Sequence, residues 1–206
     1  MIQLTNGDFE IWEDGLPTGW KSASTASSAT LTQSTDAHSG SYSVNVNGDE
    51  MEMQNKRLAS QEITLEPGSY IFSFYAKATT TEVSQISPGY VPIVGGTAGT
   101  YHYGNYINLN NTEWTQVNHE FTLAEETTVC LVVMKPKKSN YSSGKGVLID
   151  DATLSAGSLS NITPVSFDKL LISSIHSIDG KRLEKLQKGL NIVRFKNGTM
   201  KKIIVK

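Results

Sequence analysis

The feature that most constrains this chain is a two-residue rhythm of apolar and polar side chains that recurs along most of its length. Ser69–Lys77 sets Tyr70, Phe72, Phe74 and Ala76 on one side and Ile71, Ser73 and Tyr75 on the other. Thr115–Leu123 brings Val117, His119, Phe121 and Leu123 together, and Ser41–Asn47 alternates in the same way. Successive side chains of a strand point to opposite faces, so this rhythm predicts strands that are each half buried. Thr127–Met134 is apolar on both faces, as a central strand is, and Gly146–Leu154 closes the set. Glu66-Pro67-Gly68 and Asp36–Gly40 are turn signals between these runs. No window of useful length has helical periodicity. Strands with no helices between them pair antiparallel and stack as sheets, which predicts an all-β sandwich.

At 206 residues the chain is longer than one core of average size needs, which leaves room for a smaller second unit. Hydrophobic residues make up 38% and charged residues 18%, with Ser, Thr, Asn and Gly filling the difference, a composition suited to polar strands and turns. A net charge of −2 leaves no basic surplus for a phosphate backbone, so nucleic acid is excluded as a partner. Lys196, Lys201, Lys202 and Lys206 make the end locally basic, which reads as a solvated edge hairpin. The single cysteine, Cys130, excludes an internal disulfide and a thiolate metal cage. Within Val129–Met134 it reads as a small buried hydrophobe. No stretch is long enough to insert in a membrane as a helix. The opening residues carry no signal-peptide pattern, so an exported form is expected to have lost its leader upstream of this start.

Two segments stand apart. Ser84–Gly104 holds Pro88, Gly89, Pro92, Gly95, Gly96, Gly99 and Gly104 interleaved with Tyr90, Tyr101 and Tyr103, which predicts a long aromatic-rich loop of functional character. Ser155–Pro164 changes composition and reads as a linker. The expected organisation is a sandwich over 1–156, a linker over 157–164 and a small β unit over 165–206. In the last, Asp179-Gly180 and Asn197-Gly198 are hairpin turns between Leu170–Ile178, Gly189–Phe195 and Met200–Val205, about three strands in all.

An ordered set of short motifs runs through the larger unit. These are Asn6-Gly7-Asp8-Phe9-Glu10 followed by Gly19-Trp20, then His38–Ser43 with Val44 and Val46, then Leu65–Tyr70 with Phe72–Lys77, then Trp114, and last Ile149–Leu154. Over roughly residues 3 to 156 the chain resembles the carbohydrate-binding modules of the family 4/9/22 type, in the galactose-binding-like jelly-roll superfamily. The resemblance implies an antiparallel jelly-roll sandwich and a non-catalytic binding module of a secreted or cell-surface protein, with a glycan or polysaccharide as partner. The tail, through Ile178–Lys181, Gly189–Val193 and Lys201–Lys206, resembles the C-terminal sorting domain of the Bacteroidetes type IX secretion pathway.

In such modules a structural cation ties the first strand to the last. Here Asp8 and Glu10 share a face of an extended segment, Asp150 arrives from the final strand, and the loop at Ser39 offers backbone carbonyls. Hard oxygen ligands suit Ca²⁺. The plainer alternative makes Asp8 and Glu10 solvated turn residues and Asp150 a strand-end cap. For the ligand, sugar rings stack on aromatic faces while polar groups fix hydroxyls. The candidates are Tyr75, Tyr90, Tyr101, Tyr103 and Tyr106 with Arg57, and Gln54 and Asn55 beside it; Trp20 and Trp114 read as core. The alternative is ordinary strand and loop packing of the tyrosines. Catalysis is not expected. His38, His102, His119 and His176 lack metal-ligand spacing, and neither a G-x-S-x-G elbow nor a phosphate loop occurs. The competing functional readings are a structural or adhesive domain that contacts protein, and the C-terminal fragment of a larger secreted hydrolase.

Overall fold

The alternating runs form strands wherever the structure describes them. In the computed structural model the described residues are 2–22, 30–48, 54–157, 172–177, 179–195 and 200–205. The opening contributes β1 (Trp12–Glu13), β2 (Leu16–Pro17), β3 (Trp20–Ser22), β4 (Leu31–Ser34) and β5 (Ser43–Val46). The middle contributes β6 (Lys56–Ser60), β7 (Ile63–Leu65), β8 (Gly68–Ala78), β9 (Ser84–Val94), β10 (Thr97–Ala98), β11 (His102–Tyr103) and β12 (Ile107–Leu109). Then come β13 (Thr115–Leu123), β14 (Thr127–Lys135) and β15 (Val147–Ala156), followed by β16 (Ile172–Ser177), β17 (Arg182–Leu183), β18 (Gly189–Phe195) and β19 (Met200–Val205). None of the described residues is helical, and none forms a helix long and apolar enough to cross a membrane.

Two antiparallel sheets make the sandwich of the larger unit, with β1 and β2 paired in a separate two-stranded sheet. One has the order β13-β8-β15-β5-β4; the other runs β10-β9-β14-β6-β3, with β11 and β12 also on β9 and β7 on β14. The core lies between them. Phe72, Phe74 and Ala76 of β8 are sealed from solvent, as are Val117 of β13, Val129, Leu131 and Val133 of β14, and Val147 and Ile149 of β15. Burial of each large side chain stabilises the sandwich by about 1.5–3 kcal/mol. Cys130 and Val132 fall on the other side of β14 and pack with Ala59 and Val91 in a second, smaller cluster. That is why β14 reads as apolar on both faces.

The segment expected to be a long loop is mostly strand. Ser84–Val94 forms the eleven-residue β9, paired to β14 along Val129–Met134. Its prolines fit because of what lies on its other flank. There β12 pairs with Ser84–Ile86, β11 with Gly89 and Tyr90, and β10 with Ile93 and Val94, so Pro88 and Pro92 fall in the gaps. The Pro88 carbonyl accepts from Gly104 N–H and the Pro92 carbonyl from Gly99 N–H, which turns both missing N–H groups toward the interrupted flank and away from β14. Gly95 and Gly96, both at positive φ, close a two-residue hairpin from β9 to β10.

The chain divides into two compact units, residues 1–159 and 160–206. All but Gly157 of the expected linker, and the Asn197-Gly198 turn, lie outside the described residues. The smaller unit is an antiparallel sheet in the order β17-β16-β18-β19, four strands where three were expected. The addition is the two-residue β17, which follows the Asp179-Gly180 turn and is too short to show a period.

Candidate functional site

Two constellations emerge, one at a carboxylate-pinned turn and one on the outer face of the β9/β14/β6/β3 sheet. At the first, adjacent Asp150 and Asp151 would point to opposite faces of a regular strand. A bulge breaks the β15–β8 register between Asp150 and Thr153, and Asp151 takes φ +50°, so both carboxylates reach one turn. Asp150 Oδ2 accepts from the backbone N–H of His38 (2.7 Å) and Ser39 (3.2 Å), and Oδ1 accepts from Asp151 N–H (2.8 Å). Asp151 meets His38 Nδ1 at 2.6 Å and accepts from Ser39 Oγ at 2.8 Å. Glu10 reaches the same turn, where its Oε1 accepts from Ser41 N–H (2.8 Å) and Tyr42 N–H (2.9 Å). Asp150 is fully buried; that burial pushes its carboxyl up to about 6, against the three backbone N–H bonds that pull it down.

These contacts bear on the expected Ca²⁺. Glu10, Ser39 and Asp150 share the turn, while Asp8 is exposed and lines a hollow with Gly7, Ala152 and Thr153. No group of three or more His, Cys, Asp or Glu side chains suited to a metal occurs among the described residues. Even so, the donor set suits a hard cation. Among the described residues Asp150 is a buried carboxylate with no cationic partner beside it, and the hydrogen bonds leave Glu10 Oε2 and one lone pair of Asp150 Oδ1 unspent.

The second constellation is a groove. Its floor is the smaller apolar cluster, Ala59 of β6, Val91 of β9 and Cys130 of β14. Gly96, Ala98 and Tyr101 form one wall and Lys21, Ser22 and Glu62 the other, around about 260 Å³. A neighbouring hollow of about 350 Å³ shares Lys21 and Glu62 and continues past β3 along Gly19 and Gln61. Tyr101 and Tyr103 lie parallel, with ring centroids 5.7 Å apart and planes 8° from each other. The Arg57 guanidinium sits 4.7 Å from the Tyr101 centroid and donates from Nε to the Tyr103 hydroxyl at 2.5 Å. Burial raises the Tyr103 phenol, opposed in part by that hydrogen bond. Burial also raises the Cys130 thiol, so the groove floor carries no ready nucleophile.

Of the six ligand candidates read from sequence, the structure gathers Arg57, Tyr101 and Tyr103. Tyr75 lies on the outer side of the other sheet, stacked on His38 at 3.5 Å. Tyr90 turns inward and stacks on Phe121 at 4.6 Å, packed against the main core. Tyr106 is exposed beyond the hairpin. Trp20 is buried, as expected, with its indole N–H on the Thr5 and Asn6 carbonyls. Trp114, expected in the core, is half-exposed, with Lys77 Nζ 5.8 Å from its centroid. Sequence reasoning missed Lys21, Ser22 and Glu62. No local motif marks them, because only the pairing of β3 with β6 brings them to the groove.

Comparison with known proteins gives a consistent picture. The family described as "Carbohydrate binding domain", of the 4/9 type, matches residues 3–140. No curated protein matches the sequence. Among solved structures, the CBM22-2 xylan-binding domain of Paenibacillus barcinonensis Xyn10C superposes with a TM-score of 0.56 at 15% identity, over 73% of this chain and 98% of that one. The CBM22-1 domain of the same enzyme gives 0.53 at 12%, over 70% and 89%. The CBM22-1–GH10 modules of Clostridium thermocellum endo-1,4-β-D-xylanase 10B, complexed with xylohexaose, give 0.51 at 15%, over 68% and 26%. At such identities the structures establish the shared jelly-roll sandwich, while the family match covers most of the chain. The chain belongs to the carbohydrate binding domain family and is a non-catalytic, glycan-binding β-sandwich module.

Proposed function

We propose that this module holds a polysaccharide chain in the groove on the outer face of the β9/β14/β6/β3 sheet. The observation that carries the reading is the convergence of Tyr101, Tyr103 and Arg57 over that face, beside an open floor bounded by Lys21 and Glu62. Ring faces supply sugar stacking, while the guanidinium, ammonium and carboxylate groups supply hydroxyl partners. A polymer has room because the adjoining hollow prolongs the groove beyond β3. The xylan-binding domains with the same fold lend support to a plant-type polysaccharide. Retention on immobilised polysaccharides tests the reading. Tyr101→Ala with Glu62→Ala should weaken retention at least tenfold. Unchanged retention across a panel that the parent binds would move the site off this face.

For the turn we propose a structural Ca²⁺ held by Glu10 and Asp150, with carbonyl help near Ser39. Its support is the buried carboxylate of Asp150, which takes three backbone N–H groups but has no cationic partner among the described residues. The ion would supply charge balance that fastens the opening segment to β15. We further propose that the tail is a sorting segment of an exported or cell-surface protein, with any catalytic partner elsewhere in a longer chain. The motifs around Asp179-Gly180 and Gly189–Val193 support this. Fusing residues 160–206 to an inert reporter in a bacterium with type IX secretion tests it, and a reporter that stays inside the cell would defeat the idea.

A further inference from the structure

The least ordinary residue beside the groove is Arg57, which packs on the wall residue Tyr101. It is half-buried on β6, and its Nε is committed to the Tyr103 hydroxyl while its flat face is committed to the Tyr101 ring. Among the described residues it makes no ion pair, and its two terminal amino groups have no protein acceptor. The nearby charges do not change this. Lys21 and Glu62 lie together on the opposite wall, both close enough to act on Cys130, and they balance one another. A half-buried guanidinium, fixed at one edge and without an ion pair at the other, leaves its charge unanswered in the free protein. A sugar hydroxyl would satisfy its hydrogen bonds without answering its charge. A carboxylate would do both, because the planar fork of arginine matches two carboxylate oxygens.

We propose that the groove selects a polysaccharide bearing uronic acid residues, with the uronate carboxylate paired to the outer edge of the Arg57 guanidinium and the neighbouring sugar ring against Tyr101. The proposal rests on the reading of the groove as the glycan site and narrows it to anionic glycans. Arg57 is thus the specificity-determining residue, and Tyr103 positions it through the Nε hydrogen bond. The tyrosine platform and the apolar floor remain available to any sugar ring, so the acidic group decides preference rather than stacking.

The test uses the full chain with four probes: polygalacturonate, 4-O-methylglucuronoxylan, and the carboxyl-reduced form of each. Affinity electrophoresis ranks them and calorimetry measures them at two salt concentrations. At least one acidic polymer is expected to bind ten times more tightly than its reduced form, with the gap narrowing as salt rises. Arg57→Gln should erase the gap, so that the acidic polymer binds no more tightly than its reduced form. Arg57→Lys, which keeps the charge and the stem but loses the fork, should retain less than half of the preference on a logarithmic scale, and it carries the test where Arg57→Gln does not fold. Equal binding of an acidic polymer and its reduced form would overturn the proposal and leave the groove reading intact. No binding to any of the four would overturn both. A preference for the acidic form that survives Arg57→Lys in full would overturn the assignment to the fork.

Discussion

Asp150 ties the turn at His38 and Ser39 to β15. Its carboxylate takes three backbone N–H groups out of solvent, so Asp150→Ala should destabilise the sandwich by about 2–3 kcal/mol, read as a lower denaturant midpoint. Calcium should raise the melting temperature of chelator-treated protein by several degrees, the effect of a ligand that binds only the native state. Glu10→Gln or Asp150→Asn should abolish that response, whereas Asp8→Ala should leave it, because Asp8 is exposed while Glu10 and Asp150 hold the turn. No calcium response in the parent would sink the cation. His119 gives a separate signature. Burial holds its pKa below the ordinary 6.5, and its Nε2 has no partner. The unfolded chain therefore binds the proton more tightly, so this contribution is present above about pH 6.5 and is lost as pH falls through the window below it. His119→Phe should flatten the acid side of the stability profile, and an unaltered profile would count against a buried neutral imidazole.

Among the elements, β8 and β13 were legible because their side chains obey the two-residue period, and β14 because its run is apolar on both faces; Val117, Phe121 and Leu123 are buried as the pattern requires. β9 was not legible. Its prolines and glycines read as punctuation, yet each proline answers to a gap in the opposing strands that no local pattern reveals. One clue was present: Val94-Gly95-Gly96-Thr97 has the form of a tight hairpin turn. The same limit applied to the site. Tyr101, Tyr103 and Arg57 could be nominated by residue type, but the separation of Tyr75 from them follows from sheet membership, which residue type does not encode. The hairpin wall makes its own prediction. A Cβ at Gly89 would overlap the His102 carbonyl oxygen, so Gly89→Ala must lift β11 from β9. Such overpacking should cost about 1–3 kcal/mol. Because Tyr101 and Tyr103 flank the displaced residue, polysaccharide retention should fall with it. Full retention would detach the hairpin from binding.

For the molecule as a whole, division into two compact units predicts that a chain ending at Leu159 folds by itself. Its melting temperature should lie within a few degrees of the parent, and its retention on polysaccharide should be unchanged. A truncated chain that fails to give a cooperative transition would place the tail in the main core. The order of the five-stranded sheet has one more consequence. The β4–β5 hairpin joins β8 and β13 only through β15, Ile2 bridges to Leu154, and the turn at His38 is held by residues 111 to 113 positions later. The earliest part of the sandwich to leave the ribosome therefore waits for its last strand, and such distant pairings are slow to form. A nascent chain of this kind stays open until β15 has been made.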